Sequence, residues 1–219
     1  PAANKDGYAR IVLQYNAKGY PAGASYFDAD GKPTFYKGIA SGTVKYDERG
    51  NRIEEAYFGT DGKPALHQNG FAKKFIKHDD HNNLIEETYF GADGKPTLSK
   101  TGSFKITVKY NELGNPVEKA FFGTDAKPLP DKNGIARTTW KYDQCGNPVE
   151  QAFFGADGKP VLNKGGISKV ICKYDECGNQ TEKAYFGTDG KPIASKEGFA
   201  VYSWRYDMRQ SLRRQAVFR

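Results

Sequence analysis

Cysteine, histidine and long apolar runs are all scarce in this chain of 219 residues. The three cysteines, Cys145, Cys172 and Cys177, are too few and too odd in number to form a disulfide framework. No apolar run approaches the roughly 20 residues of a membrane-spanning helix. No charged-then-apolar leader opens these residues either, so the piece is expected to be soluble. The three histidines, His67, His78 and His81, fall within one short stretch, and neither a Gly-x-Ser-x-Gly elbow nor a phosphate-cradling glycine loop occurs. With those signatures missing, the expectation is a segment that is not an enzyme and uses no cofactor. Hydrophobic residues make up only 37%, yet aromatics reach 14% and glycines number 25. That is a turn-rich composition, unlike that of a helical protein, in which Tyr and Phe must supply much of the apolar surface.

What is abundant is self-similarity. The string Phe-Gly-x-Asp-x-Lys-Pro recurs with prolines at Pro64, Pro96, Pro128, Pro160 and Pro192, each 32 residues after the last. Pro33 joins the series with one residue deleted, and Pro1 precedes it by 32. A fixed period of this length is the mark of a repeat architecture. The spans are 1–32, 33–63, 64–95, 96–127, 128–159, 160–191 and a shortened 192–219, which we read as one repeat domain ending in a cap. Both ends fall inside the repeat pattern, which suggests a segment of a longer protein.

Each repeat reads as two strands and two turns. In the second, residues 38–46 form a strand rich in Val, Thr and Tyr, Asp47-Glu48-Arg49-Gly50-Asn51 is a hairpin tip, and residues 53–58 return. Gly59-Thr60-Asp61-Gly62-Lys63-Pro64 then reverses the chain again, with Pro ending the ladder. A four-residue tip pairs Tyr46 with Asn51, Val44 with Ile53 and Ala40 with Tyr57. Alternation then puts Ala40, Val44, Tyr46, Ile53 and Tyr57 on one face and Ile39, Lys45, Glu54, Ala56 and Phe58 on the other. A lone hairpin cannot bury such faces, but stacked neighbours can. The expected fold is all-β, an elongated array of seven hairpin repeats in a twisted or superhelical antiparallel sheet. A solenoid with equivalent strands on adjacent rungs is the competing layout. In the hairpin array, Cys145 and Cys177, at the same tip slot of neighbouring repeats, stand about two strand spacings apart and stay free.

The strings Val44-Lys45-Tyr46-Asp47-Glu48-Arg49-Gly50-Asn51, Trp140-Lys141-Tyr142-Asp143-Gln144-Cys145-Gly146-Asn147 and Cys172-Lys173-Tyr174-Asp175-Glu176-Cys177-Gly178-Asn179 resemble the Tyr-Asp repeat of bacterial Rhs and related surface or toxin proteins. Tyr26-Phe27-Asp28-Ala29-Asp30-Gly31-Lys32 resembles the aromatic-rich cell-wall-binding repeats of Gram-positive surface proteins, and one hairpin per repeat is similar to MORN repeats. These likenesses imply a bacterial, non-catalytic repeat segment, frequently extracellular or at the cell surface.

Several columns are candidates for binding. His78-Asp79-Asp80-His81 carries nitrogen and oxygen donors at one tip, but His78 occupies the Tyr slot of other repeats, so divergence of one repeat outweighs a metal site. The Asp-Gly pairs offer single carboxylates, which suit turns better than calcium. Lys45, Lys77, Lys109, Lys141 and Lys173, continued by Arg205, form a basic series. Glu54, Glu86, Glu118, Glu150 and Glu182 share its face, favouring a ladder of charge pairs over a nucleic-acid or lipid track. The last repeat concentrates charge, holding +4 of the net +7, and its Arg209, Arg213 and Arg214 suit an edge cap or a docking edge for an acidic partner. The uniform Phe column, Phe27 to Phe218, reads as core. The Tyr column, with Tyr57, Tyr89 and Tyr185, reads as the better exposed stripe. A protein partner is the leading expectation, with a glycan or cell-envelope polymer next and anionic lipid or nucleic acid behind. Slots that vary between repeats, such as the middle of the first strand and the loop after Pro, are where specific binding is expected.

Overall fold

The computed structural model describes residues 3–206 and the backbone of Leu212–Phe218. It is an all-β hairpin array, with no helix among the described residues. The hairpins are β1 (Arg10–Tyr15) with β2 (Pro21–Phe27), β3 (Ser41–Tyr46) with β4 (Arg52–Phe58), and β5 (Lys73–His78) with β6 (Leu84–Phe90). They continue as β7 (Lys105–Tyr110) with β8 (Pro116–Phe122), β9 (Arg137–Tyr142) with β10 (Pro148–Phe154), β11 (Lys169–Tyr174) with β12 (Gln180–Phe186), and β13 (Val201–Tyr206) with β14 (Leu212–Phe218). Strand order in the sheet is order in the chain, and the paired neighbours run antiparallel. By packing, the chain divides into two compact units, residues 1–106 with 123–126 and residues 107–122 with 127–219.

The Tyr-Asp string proves to be a folding device. Asp47 closes the tip, because its Oδ1 accepts the N–H groups of Arg49 and Asn51 at 3.0 and 2.8 Å while its Oδ2 accepts from the Asn51 side chain at 3.0 Å. Asp79, Asp143 and Asp175 do the same. Those bonds favour the carboxylate, led by the Asn side-chain bond, so all four aspartates are held below the usual acid range. Tyr ties one hairpin to the previous one, since the Tyr46, Tyr142 and Tyr174 hydroxyls donate to the carbonyls of Pro21, Pro116 and Pro148 at 2.7, 2.9 and 3.3 Å.

The register differs from the expected one. Tyr46 pairs with Arg52, Val44 with Glu55 and Gly42 with Tyr57, with a bulge between Lys45 and Tyr46. Asp47 N–H reaches the Asn51 carbonyl at 2.9 Å and Gly50 takes φ +90°, which makes a three-residue loop closing into a bulge rather than a four-residue turn. The net slip is two residues. Because side chains alternate with period two, the slip changes every partner yet leaves the strand residues on their assigned faces, whereas Ile39, assigned to the Lys face, lies before the strand in a turn closed with Tyr36.

A third turn per repeat, unforeseen in the sequence, decides what is buried. After each inter-repeat Pro the chain folds back and turns again, as at His67–Phe71, where His67 N–H meets the Phe71 carbonyl at 2.9 Å and Gly70 takes φ +88°. The expected strand from residue 38 therefore starts at Ser41. Gly38, at φ +88°, is so close to the next turn that a Cβ would sit 2.7 Å from the Leu66 carbonyl oxygen. These turns cover the Tyr face. Ile39, Phe71, Ile135 and Ile167 from the turns are buried with Ala40, Ala72 and Ala136, Tyr89, Phe153 and Tyr202. In small repeats with little apolar residue to spare, a loop that lays one aromatic or aliphatic side chain on each Tyr removes the surface a bare sheet would leave wet.

Candidate functional site

On the opposite face the Lys and Glu columns meet. The observed register sets Lys45 directly across from Glu54, and the pair closes at 3.2 Å. Lys77–Glu86 and Lys109–Glu118 close at 2.8 Å, Lys141–Glu150 at 2.9 Å and Lys173–Glu182 at 3.0 Å. Several of these carboxylates take a second cation from the following hairpin. Lys73 lies 3.6 Å from Glu54, Lys105 lies 3.9 Å from Glu86 and Arg137 lies 3.3 Å from Glu118. Bonds from Lys109 first, and then Arg137, hold Glu118 below its ordinary value against the opposing effect of burial. At Glu54, Glu86 and Glu118 two cations meet one carboxylate, and the Lys45, Lys109 and Lys173 side chains are well exposed beyond their partners.

Between the hairpins on this face lies a cleft of about 540 Å³. Lys45, Glu54 and Lys73 line it together with Ala56, Phe58 and Pro64, and Phe75 and Phe90 add their rings, which meet edge to face at 5.5 Å. Three repeat lengths further along the chain, a second cleft of about 210 Å³ is lined by the same columns. There Glu150, Ala152, Phe154 and Pro160 stand for Glu54, Ala56, Phe58 and Pro64, and Lys169 stands for Lys73. The lining is mostly apolar, with charge supplied by the Lys and Glu columns, a combination that accepts an apolar side chain flanked by an acidic group.

The Tyr column falls elsewhere. Tyr89 is only 6% exposed, and Tyr57 is half-buried under His67, stacked at 4.8 Å, and Phe71 at 5.8 Å. Burial first, and then Glu55 and Glu87, push these two phenols far above their usual range, and each hydroxyl donates to its own glutamate, at 2.8 and 2.9 Å. Tyr185 is half-buried and meets Tyr202 edge to face at 6.0 Å. The expected exposed stripe is therefore core, because the third turn covers it, while the Phe column lines the open clefts. Arg209 lies outside the described residues. Arg213 and Arg214 lie in β14, where Arg214 pairs in register with Arg205.

The third repeat's polar residues serve structure. Asn69 N–H donates to His67 Nδ1 at 3.3 Å, and burial lowers the His67 pKa. His81 N–H donates to Asp79. Arg49 reaches Asp80 of the next tip, at 2.8 Å to its carbonyl and 3.4 Å to its carboxylate. Among the described residues no group of three or more His, Cys, Asp and Glu is arranged to hold a metal. All three cysteines are free, with Cys145 and Cys177 exposed.

A network missing from the sequence reading sits on the Tyr face. Lys74 bridges Glu55 at 3.5 Å and Glu87 at 3.2 Å, so Tyr57, Glu55, Lys74, Glu87 and Tyr89 form one chain of bonds across three strands. Its signal was variation. The Lys74 column holds Ile106, Thr138, Val170 and Tyr202 in other repeats. Phe75, in the neighbouring column, is likewise specific to its repeat. Both are in the middle of a first strand, where specific features were expected.

Among solved structures, the fold is similar to segments of toxin chains. The crystal structures of TcdB2-TccC3-TEV and TcdB2-TccC3-Cdc42 match with TM-score 0.56 over 94% of this chain, at 14% and 15% identity. The Photorhabdus luminescens Tc holotoxin pore matches with TM-score 0.52 over 95%, at 12% identity. The chain spans 9%, 9% and 11% of those chains, about a tenth of each. No protein-family model matches the chain, and no curated protein matches it.

Proposed function

We propose that the chain is a non-catalytic β-repeat scaffold that binds protein through the clefts of its Lys-Glu-Phe face, as a segment of a larger secreted or surface-exposed bacterial protein of toxin type. The observation that carries this reading is the recurrence of a cleft on shared columns three repeats apart, mostly apolar in lining with Glu and Lys of the charge columns beside it. The fold-level likeness to toxin complexes and the Tyr-Asp resemblance support the larger context. A glycan reading rested on the Tyr column as a stacking platform, and the burial of Tyr89 and the covering of Tyr57 leave it without support. A nucleic-acid or lipid track is disfavoured by the glutamate partner of each lysine in the series.

The test is site-directed photocrosslinking in the producing cell. Benzoylphenylalanine at position 75, in the larger cleft, should trap a discrete protein, whereas the same group at Leu113, 68% exposed on a hairpin tip, should not. Equal trapping from both positions, or none from position 75, would refute the cleft as the binding surface.

A further inference from the structure

The two clefts of the Phe face share columns but differ in size, rings and charge. The larger, at about 540 Å³, falls within the roughly 300–1,000 Å³ range of ligand pockets, and the smaller, at about 210 Å³, falls below it. Tyr57, Phe58, Phe75 and Phe90 line the larger, whereas Phe153 and Phe154 are the aromatics of the smaller. Lys45 and Lys73 border the larger with Glu54 between them, while the smaller has Lys169 and Glu150. Charge is balanced in the smaller cleft and tipped toward the cation in the larger.

Phe75 sets the shape. Its column holds Thr43, Thr107, Thr139, Ile171 and Ser203 in the other repeats, so this ring is peculiar to the larger cleft. It is 37% exposed and meets Phe90 edge to face at 5.5 Å, which makes an aromatic wall with a face left to cover. A cation stands beside that wall, because Lys73 Nζ is 5.5 Å from the Phe75 ring centroid and 3.6 Å from Glu54, which Lys45 also approaches, at 3.2 Å. The Lys45 and Lys73 side chains are 65 and 43% exposed and that of Glu54 only 15%, so an incoming group meets ammonium rather than carboxylate. An acidic guest gains both lysines, and a cationic one is repelled by them. A ring stacked on or edge-on to Phe75 lies so near Lys73 that the acid belongs on an adjoining residue.

Resting on the reading of the clefts as a protein-binding surface, we propose that the larger cleft takes an aromatic side chain of the partner that has Asp or Glu as its neighbour. The ring packs on Phe75 and Phe90, and the carboxylate pairs with Lys45 and Lys73. The smaller cleft has neither the second lysine nor the Phe75 wall in its lining, and it does not share this guest.

The probes are four short peptides, acetyl-Asp-Trp-amide and its Asn-Trp, Lys-Trp and Asp-Ala counterparts, titrated into the whole isotope-labelled chain and followed by NMR. The Asp-Trp peptide should saturate, shifting the amide signals of Phe75, Phe90 and Gly94 and not those of Phe154 or Lys169. Loss of its charge or of its ring should each weaken binding roughly fivefold. Phe75→Thr introduces the residue that the column carries at Thr43, Thr107 and Thr139, so the strand accepts it, and it should erase the preference for Trp over Ala. Lys73→Ser, the residue found at Ser41, should reduce the preference for Asp over Asn. No saturation, equal binding of the Asp and Asn peptides, preference for the Lys peptide, or equal shifts in the smaller cleft would overturn the proposal. Photocrosslinking from position 75 separates this failure from that of the broader reading. A protein still trapped, undiminished, in a Lys73→Glu chain would overturn the acidic guest and leave the cleft as the binding surface, whereas no trapping in the parent chain would remove both.

Discussion

Tyr89 shows how one residue changes meaning between sequence and structure. As a member of a regular aromatic column it looks like a contact residue; beneath Phe71, its ring centroid at 4.8 Å, it is a packing residue. Tyr89→Ala should therefore cost about 3–5 kcal/mol in urea unfolding, while Tyr89→Phe, which loses only the bond to Glu87, should cost about 1 kcal/mol. Ala126 is a second case. It takes φ +63° in the turn where other repeats place Gly62, Gly94, Gly158 and Gly190, and a Cβ is strained there. Ala126→Gly should stabilise by about 0.5–1 kcal/mol, read as a raised unfolding midpoint. The tip aspartates give pH dependence of known sign. A carboxyl held below its unfolded value, about 3.9, stabilises fully above that pH and loses the contribution as pH falls through the lower folded value. Asp143→Asn keeps the acceptor for the loop N–H groups, as Asn111 does naturally, but cannot titrate. The variant should lose less stability than the parent between about pH 4 and pH 2; an unchanged acid limb would show that the Asp143 carboxylate is not linked to folding.

At the scale of the element, the hairpin is held by charge on one face and by covered aromatics on the other. The Lys-Glu pairs are partly exposed, so each is worth little alone, about 0.5–1 kcal/mol. Glu118 holds two cations from two strands, Lys109 and Arg137, and is the strongest candidate for a measurable effect. Glu118→Gln should destabilise by about 1 kcal/mol at low salt, and the difference should shrink as salt rises. A loss insensitive to salt would assign Glu118 to packing instead. The hairpin partition into two faces was legible in the sequence because alternation survives a slip of two residues. The partners across the ladder were not, because bulges are made by backbone geometry that the string Asp-x-x-Gly-Asn does not distinguish from a four-residue turn.

For the whole molecule, stability should follow the number of repeats, since each hairpin contacts its sequence neighbours in the sheet. Deleting residues 129–160, one repeat length, joins Pro128 to Val161 in the columns where Pro160 stood. The shortened chain should keep an all-β circular dichroism spectrum, unfold at a lower urea midpoint and show an m-value smaller by about a seventh. Collapse of the fold on losing one repeat would contradict a nearest-neighbour array. The same logic explains why function was only partly legible. Columns that recur build the packing, the charge ladder and the shared lining of both clefts, whereas the Lys74 network and the Phe75 wall of the larger cleft arise where single repeats depart from the pattern, at Phe75, Lys74, Glu55 and Glu87.

By itself the sequence determined the repeat length, the all-β hairpin array, the two faces and the charge ladder, because each follows from local spacing: proline every 32 residues, turn residues between β-formers, and period-two alternation. Only the tertiary structure decided which aromatic column is buried. That depends on where the loop after each proline lands, and a loop fold-back is a long-range packing choice that no local periodicity encodes. The clefts on the Phe face follow from the same choice, since they are surfaces that the loops leave open.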